Sequence, residues 1–179
     1  MIYELGDLKP NIAGDVFIAP DAQVIGNVTI GKGSGVWFGC LIRGDVHSIT
    51  IGENCNIQDH SVIHVTGGKH ATVLGNNCTL GHRVTLHGCR LSDFSFIGIG
   101  ATVLDGCEIG EYGFLAAGSL LPPGKTIPPR MMAMGSPAKI VREITPQEEE
   151  LIRVTAEKYS RLKNEYRNAE NFREIQRGR

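Results

Sequence analysis

The chain has 179 residues, a hydrophobic fraction of 41% and a formal net charge of -1, which suits one domain with a buried core. Its 23 glycines and 6% aromatic residues favour short strands and tight turns over a helical bundle. The sequence has no basic stripe, no apolar run of about 20 residues and no signal-peptide pattern, so we expect no nucleic-acid partner, no membrane span and a cytoplasmic location.

An aliphatic residue recurs every six residues through most of the chain. The series is Ile12, Ile18, Val24, Ile30, Val36, Ile42, Ile51, Ile57, Ile63, Leu74, Leu80, Leu86, Leu91, Ile97, Val103, Ile109, Leu115, Leu121 and Ile127. Hexapeptide repeats predict a parallel β-helix, in which three short strands close each triangular coil and the aliphatic side chain points inward. The repeat resembles the left-handed β-helix class, so we expect an all-β domain of that hand over residues 1–129.

Small residues occupy the position two before many of these aliphatic residues. All five cysteines of the chain follow this rule: Cys40, Cys55, Cys78, Cys89 and Cys107. We therefore interpret them as small buried side chains at the coil corners, not as redox or metal-binding groups.

A linker is predicted over residues 130–144, and a C-terminal helix and tail over 145–179. Thr145 is a candidate N-cap, Pro146 suits the first helical position, and Glu148 completes a capping box. From Pro146 to about residue 168 the sequence has no glycine and no further proline, so we expect the helix to cover this stretch.

Two histidines share one repeat position. His64 and His87 directly follow Ile63 and Leu86, which fall on the same face in consecutive coils; Arg43 holds the same position one coil earlier. Imidazoles from adjacent coils, about 4.8 Å apart at the backbone, can converge on one zinc ion.

His82 falls on a different face of the same coil, because it lies two residues after Leu80. It should therefore point away from the other two histidines. A three-histidine site then needs His82 from another molecule, and the closed arrangement that satisfies every subunit is a homotrimer with one site at each interface.

The motifs Arg43-Gly-Asp45, Asn56-Ile-Gln-Asp59, Gly81-His82 and His87-Gly-Cys89, with His64, together resemble the gamma-class carbonic anhydrase family. The resemblance implies a lyase that reversibly hydrates carbon dioxide to bicarbonate. It implies zinc as the cofactor, with iron(II) or cobalt as alternatives. It also implies metal ligands His64 and His87 from one subunit and His82 from its neighbour.

The same resemblance assigns roles to four further side chains. Gln58 would hold the reacting water or bicarbonate, and Asn56 and Asp59 would shape the site. Tyr159 resembles a tyrosine that reaches the site from the C-terminal helix, although a tyrosine packed in the core explains its position equally well.

Arg43 and Asp45 would form an ion pair at the subunit interface. Two departures from the family pattern concern proton transfer: Val46 replaces a glutamate, and the segment after His64 has no carboxylate. His70 in that segment could carry the proton instead, because imidazole ionises near neutral pH.

Two alternatives remain open. One is a hexapeptide acyltransferase or acyl-coenzyme A thioesterase, which uses the same scaffold with a single catalytic histidine. The other is a non-catalytic scaffold that binds the metal without turnover.

Overall fold

The computed structural model describes residues 1–168 and 170–173. Within these residues the chain forms twenty strands and one helix, α1 (Pro146–Arg167). The strands are β1 (Ile2–Tyr3), β2 (Asn11–Ile12), β3 (Phe17–Ile18), β4 (Gln23–Ile30), β5 (Gly35–Val36), β6 (Leu41–Ile51), β7 (Asn56–Ile57), β8 (Val62–His64), β9 (Thr72–Leu74), β10 (Thr79–Leu80), β11 (Thr85–His87), β12 (Arg90–Leu91), β13 (Phe96–Ile97), β14 (Thr102–Val103), β15 (Glu108–Ile109), β16 (Phe114–Leu115), β17 (Leu120–Leu121), β18 (Thr126–Ile127), β19 (Met131–Gly135) and β20 (Ala138–Glu143).

The strands stack as three faces of a parallel β-helix, which confirms the predicted fold class. Face 1 contains β2, β9, β12, β15 and β18, with the ends of the long strands β4 and β6. Face 2 contains β3, β5, β7, β10, β13, β16 and β19. Face 3 contains β8, β11, β14 and β17, with the beginnings of β4 and β6.

The repeat aliphatic residues pair with one another from coil to coil, as the spacing predicts. Ile42 pairs with Ile63, Ile63 with Leu86, and Leu86 with Val103. The repeat positions from Val24 to Ile127 are at most 3% exposed and form the core. The five cysteines are free and buried. Burial raises the pKa of the Cys40 thiol to about 12, so it stays protonated at neutral pH.

All unequal steps of the repeat fall at one corner, between faces 3 and 1, which we call the variable corner. The steps there are nine residues after Ile42, eleven after Ile63 and five after Leu86. Strand β6 runs through the first step without a break. The corner between faces 2 and 3, which we call the regular corner, keeps the six-residue step throughout.

The structure corrects the predicted linker. Strands β19 and β20 lie within residues 130–144 and pair as an antiparallel hairpin. Strand β19 extends face 2, where Ala133 pairs with Leu115 and takes the next inward position. The repeat series missed this coil because alanine replaces the larger aliphatic residue. Of the predicted tail, residues 174–179 lie outside the described part of the chain.

Helix α1 packs against β3, β5, β7 and β10 of face 2. Its predicted capping box is present: the Thr145 hydroxyl accepts from the Glu148 amide, and the Glu148 carboxylate accepts from the Thr145 amide. The rings of Tyr159 and Tyr166 contact Trp37 edge-on at 5.6 and 5.0 Å between centroids. Nowhere in the described residues is a helix both long and apolar enough to span a membrane.

Replacing Glu148 with alanine is expected to lower the free energy of unfolding by about 1 kcal/mol, because it removes the side chain that completes the capping box. The hydrogen bonds from Arg142, together with those at the cap, hold the pKa of Glu148 at about 2, below its ordinary 4.5. Because this pKa is lowered in the folded state, the contribution is present above pH 4.5 and is lost as the pH falls towards 2. Urea unfolding between pH 7 and pH 3 measures it.

The control for this change is Glu150→Ala, which removes only an exposed ion pair with Arg153 and should leave the free energy of unfolding close to that of the wild type. Equal losses in the two variants would contradict the capping role of Glu148.

Candidate metal centre

His64 and His87 lie side by side at the end of face 3. They pair in register at the ends of β8 and β11, which confirms the predicted stacking. Nδ1 of His64 lies 3.1 Å from Nε2 of His87, and the ring centroids are 5.1 Å apart. Both side chains are partly buried. The β-helix thus presents two imidazole nitrogens side by side at the variable corner.

The spacing of these two nitrogens fits a shared metal ion. Two ligands at 2.0–2.1 Å from a tetrahedral zinc ion lie about 3.3 Å from each other. The observed 3.1 Å is close to that value. The arrangement therefore provides two of the three imidazoles that a catalytic zinc site uses.

Each of these imidazoles also meets a carboxylate through its other nitrogen. Nε2 of His64 lies 2.9 Å from Oδ1 of Asp45, and Nδ1 of His87 lies 2.9 Å from Oδ1 of Asp105. Burial opposes ionisation of both carboxyl groups. Hydrogen bonds from the histidines, from Arg43 to Asp45 and from Thr66 to Asp105 outweigh it and hold both pKa values below the ordinary value of 3.8.

The carboxylates therefore accept, and the imidazole nitrogens that face them donate. The other nitrogen of each ring, Nδ1 of His64 and Nε2 of His87, then carries no proton. An imidazole nitrogen must be in this state to bind a metal ion. Carboxylate partners on metal-binding histidines are the common way in which proteins fix this tautomer. The donor set of the pair thus fits a divalent cation in chemistry as well as in distance.

His82 lies at the other end of face 3, at the regular corner. Its Nδ1 is 2.9 Å from Oδ2 of Asp59, so it too has a carboxylate partner. The side chain of His82 is 44% exposed. Among the described residues, no group of three or more histidine, cysteine or acidic side chains is placed to hold a metal ion. One chain thus carries the pair at one corner and the third histidine at another.

The residues that the family resemblance assigns to catalysis lie on the side of His82. Asn56 and Gln58 are buried on face 2. The side-chain oxygen Oδ1 of Asn56 accepts from the indole of Trp37 at 2.8 Å, and Nδ2 of Asn56 has no hydrogen-bond partner among the described residues. Burial, with the charge of nearby Asp59, raises the pKa of Tyr159. Of these residues Asp59 contacts His82 directly, Asn56 and Gln58 precede it along the chain, and Tyr159 of helix α1 lies near Asp59.

Arg43 lies with the pair instead and forms an ion pair with Asp45, as expected from the motif. The sequence predicts Asp45 only as a member of this ion pair, and its hydrogen bond to His64 was not predicted.

Asp105 was missed altogether. The repeat could have revealed it, because Asp105 lies two residues after Val103, which pairs with Leu86 beside His87. Thr72 was also missed: its buried hydroxyl donates to the His64 carbonyl at 2.6 Å and accepts from the Gly88 amide at 2.9 Å.

Comparison with known proteins finds related sequences and structures, although no model of a protein family matches the chain. The chain is 41% identical over 161 residues to gamma carbonic anhydrase 1, mitochondrial, of Arabidopsis thaliana; the match covers 87% of this chain and 58% of the relative, so the chain spans less than two thirds of that protein. It is 43% identical over 151 residues to the probable carbonic anhydrase of Methanocaldococcus jannaschii, covering 84% of this chain and 94% of the relative.

Among solved structures, a hexapeptide transferase family protein from Anaplasma phagocytophilum superposes with a TM-score of 0.87 at 39% identity. The match covers 92% of this chain and 96% of that chain. The fold and much of the sequence are thus shared with proteins whose names point to two different chemistries.

Proposed function

Because this chain belongs to the gamma-class carbonic anhydrase family, we propose that it binds zinc and catalyses the reversible hydration of carbon dioxide to bicarbonate. The observation that carries this proposal is the pair of His64 and His87, whose facing nitrogens lie 3.1 Å apart with a carboxylate behind each ring. When bound, zinc supplies a Lewis acid that lets water ionise near pH 7, which gives the nucleophile that this reaction needs. Iron(II) and cobalt suit the same nitrogen ligands.

The protein side chains position the reactants. We propose that His64 and His87 of one subunit hold the metal together with His82 of its neighbour. Gln58 directly precedes Asp59, the carboxylate partner of His82, and would arrive at the site with His82. Its amide can orient the water or bicarbonate by hydrogen bonding, a task that needs a polar group without a competing charge. Asn56 and Asp59 are proposed to shape the site. Asp59 does so by holding one nitrogen of His82.

The proposed assembly is a homotrimer in which the regular corner of one subunit meets the variable corner of the next. Exposed apolar side chains at both corners support it. Val46 is 55% exposed near the histidine pair, and Ile99 is 53% exposed in the coil that follows His82. Contact between the two corners would remove the apolar surface of both side chains from water, which is favourable. The Arg43–Asp45 ion pair would then lie at the subunit interface.

Proton transfer is proposed to use His70. It borders an open pocket of ≈ 330 Å³ that is also lined by His47, Lys69 and Arg90, so a buffer molecule can reach it. The side chain of His70 also lies against Gly88, the residue that follows His87. Tyr159 packs on Trp37 and stays a second proposal for a group that reaches the site. A cytoplasmic location also stays a prediction, and the Arabidopsis relative is named as mitochondrial.

Stopped-flow carbon dioxide hydration tests the proposed activity. Zinc-loaded and iron-loaded protein should both be assayed, and we expect a rate above background that rises with buffer concentration, because the chain lacks the usual proton-carrying carboxylates. A carbonic anhydrase inhibitor that binds the metal should abolish the rate.

The solved relative named as a hexapeptide transferase makes the hexapeptide acyltransferase or acyl-coenzyme A thioesterase of the sequence analysis the second candidate. Coenzyme A binding by protein that takes up no metal would favour that reading. Full metal uptake without any hydration would favour a non-catalytic scaffold.

A further inference from the structure

The carboxylate of Asp105 joins the inserted loop at the variable corner to the histidine pair. Oδ1 of Asp105 lies 2.9 Å from Nδ1 of His87. The Thr66 hydroxyl lies 3.0 Å from both oxygens of the same carboxylate, and Thr66 belongs to the segment between β8 and β9. The Asp105 side chain therefore contacts both the ring of His87, a proposed metal ligand, and the loop that contains Thr66.

The backbone beside His87 leaves room for this contact. Gly88 has a φ of +57°, and a Cβ atom there would lie 2.1 Å from Oδ1 of Asp105 and 2.7 Å from Cβ of His70. A residue with a side chain would displace the carboxylate. Glycine at this position thus lets Asp105 lie against the main chain and reach the adjacent imidazole.

Thr72, the first residue of β9, fixes the main chain of the pair at the point where the same loop ends. Its hydroxyl bridges the His64 carbonyl and the Gly88 amide, at 2.6 and 2.9 Å. The pair is therefore held from both ends of the loop, by Thr72 at the backbone and by Thr66 through Asp105 at the ring. The ring contact is the one that bears on the chemistry of the ligand atom.

We propose that Asp105 is a positioning residue that fixes the tautomer and orientation of His87, with Thr66 holding the carboxylate in place. This proposal rests on the proposed function, because it concerns a ligand of the proposed metal site. By accepting from Nδ1, Asp105 keeps the proton off Nε2, which is the nitrogen that faces His64. The loop between β8 and β9 has no carboxylate of its own. It acts on His87 through the carboxylate of Asp105, which belongs to the coil after that of His87.

The test measures zinc affinity, by competition with a chromogenic chelator, for the full-length protein and its Asp105→Ala variant. We expect the variant to bind zinc 10–100-fold more weakly, the usual effect of removing a hydrogen-bond partner from a metal ligand. The matched control is Asp93→Ala. Asp93 follows Leu91 as Asp105 follows Val103, by two residues, and hydrogen-bonds the neighbouring coil at Asn76 without contacting a histidine. Its zinc affinity should equal that of the wild type.

A second readout needs no metal. In metal-free protein labelled with 15N-histidine, NMR should show His87 protonated at Nδ1, and the Asp105→Ala variant should show a mixture of the two tautomers. Thr66→Val should weaken zinc binding less than Asp105→Ala does. If Asp105→Ala does not fold, Asp105→Leu supplies the same comparison, because leucine has a similar shape and cannot accept a hydrogen bond.

The two readouts separate the inference from the proposed function. Zinc affinity and tautomer that both stay unchanged in the Asp105 variant would overturn the positioning role. A wild-type protein that takes up no zinc would contradict the proposed function, while the tautomer measurement would still decide the role of Asp105.

Discussion

Protein carrying His82→Ala is expected to lose zinc binding when it is prepared alone, and to recover about a quarter of its sites when its subunits are mixed with His64→Ala subunits. The reason is the placement of the histidines at opposite ends of face 3. A site between subunits needs His64 from one chain and His82 from the next. In a random equal mixture each is intact with a probability of about one half, so about one interface in four is complete.

Co-refolding of the two variants, followed by zinc analysis of the trimer peak from gel filtration, makes this measurement. The separately refolded variants serve as controls and should hold no zinc. A site within one chain predicts a different result, since every chain in the mixture lacks a histidine and no zinc would return. Elution as a monomer would contradict the assembly itself.

His87→Ala is expected to weaken zinc binding by more than about 100-fold and to reduce carbon dioxide hydration to background. Loss of a residue that only supports a ligand already costs 10–100-fold, and His87 is proposed as a ligand itself. The substitution also leaves Nδ1 of His64 without its facing nitrogen. Metal content and stopped-flow rates on the same preparation measure both effects.

His47→Ala is the matched control for that experiment. His47 lies in β6 near the variable corner, and its Nδ1 contacts only the neighbouring Ser48 among the described residues. Its zinc content should stay within about twofold of the wild type. Zinc retained at full occupancy in His87→Ala would remove that residue from the proposed ligands.

The sequence was a strong guide to this fold because the hexapeptide repeat leaves little freedom. Each inward position must be filled by a side chain that packs on the coils above and below, so one periodic pattern predicts strands, core and register together. The pairing of His64 with His87 follows from the same register. Where the pattern weakened, the prediction failed: at Ala133 the repeat continued with a small residue, and the strand β19 was taken for a linker.

The site was predictable only in part, because hydrogen bonds between coils join residues that are far apart in the chain. Asp105 reaches His87 from eighteen positions away, and Thr66 reaches Asp105 from thirty-nine. The direction in which a side chain leaves a corner depends on backbone details such as the positive φ of Gly88. Spacing alone does not contain that information. The family motifs gave Asp59 a role near the site, and the structure supplied its partner, His82.

The irregular steps of the repeat all fall at the variable corner, which carries the histidine pair. Changes in loop length beside the pair are therefore separate from the packing of the core. Inserted residues there leave the inward positions of every coil in register, and lengthening a surface loop costs little free energy. Evolution or an engineer can therefore change the loop beside the pair, for example by adding a carboxylate to carry protons, while the scaffold stays the same. The loop at the variable corner can change in length and sequence, whereas the inward positions of the coils must keep their aliphatic side chains.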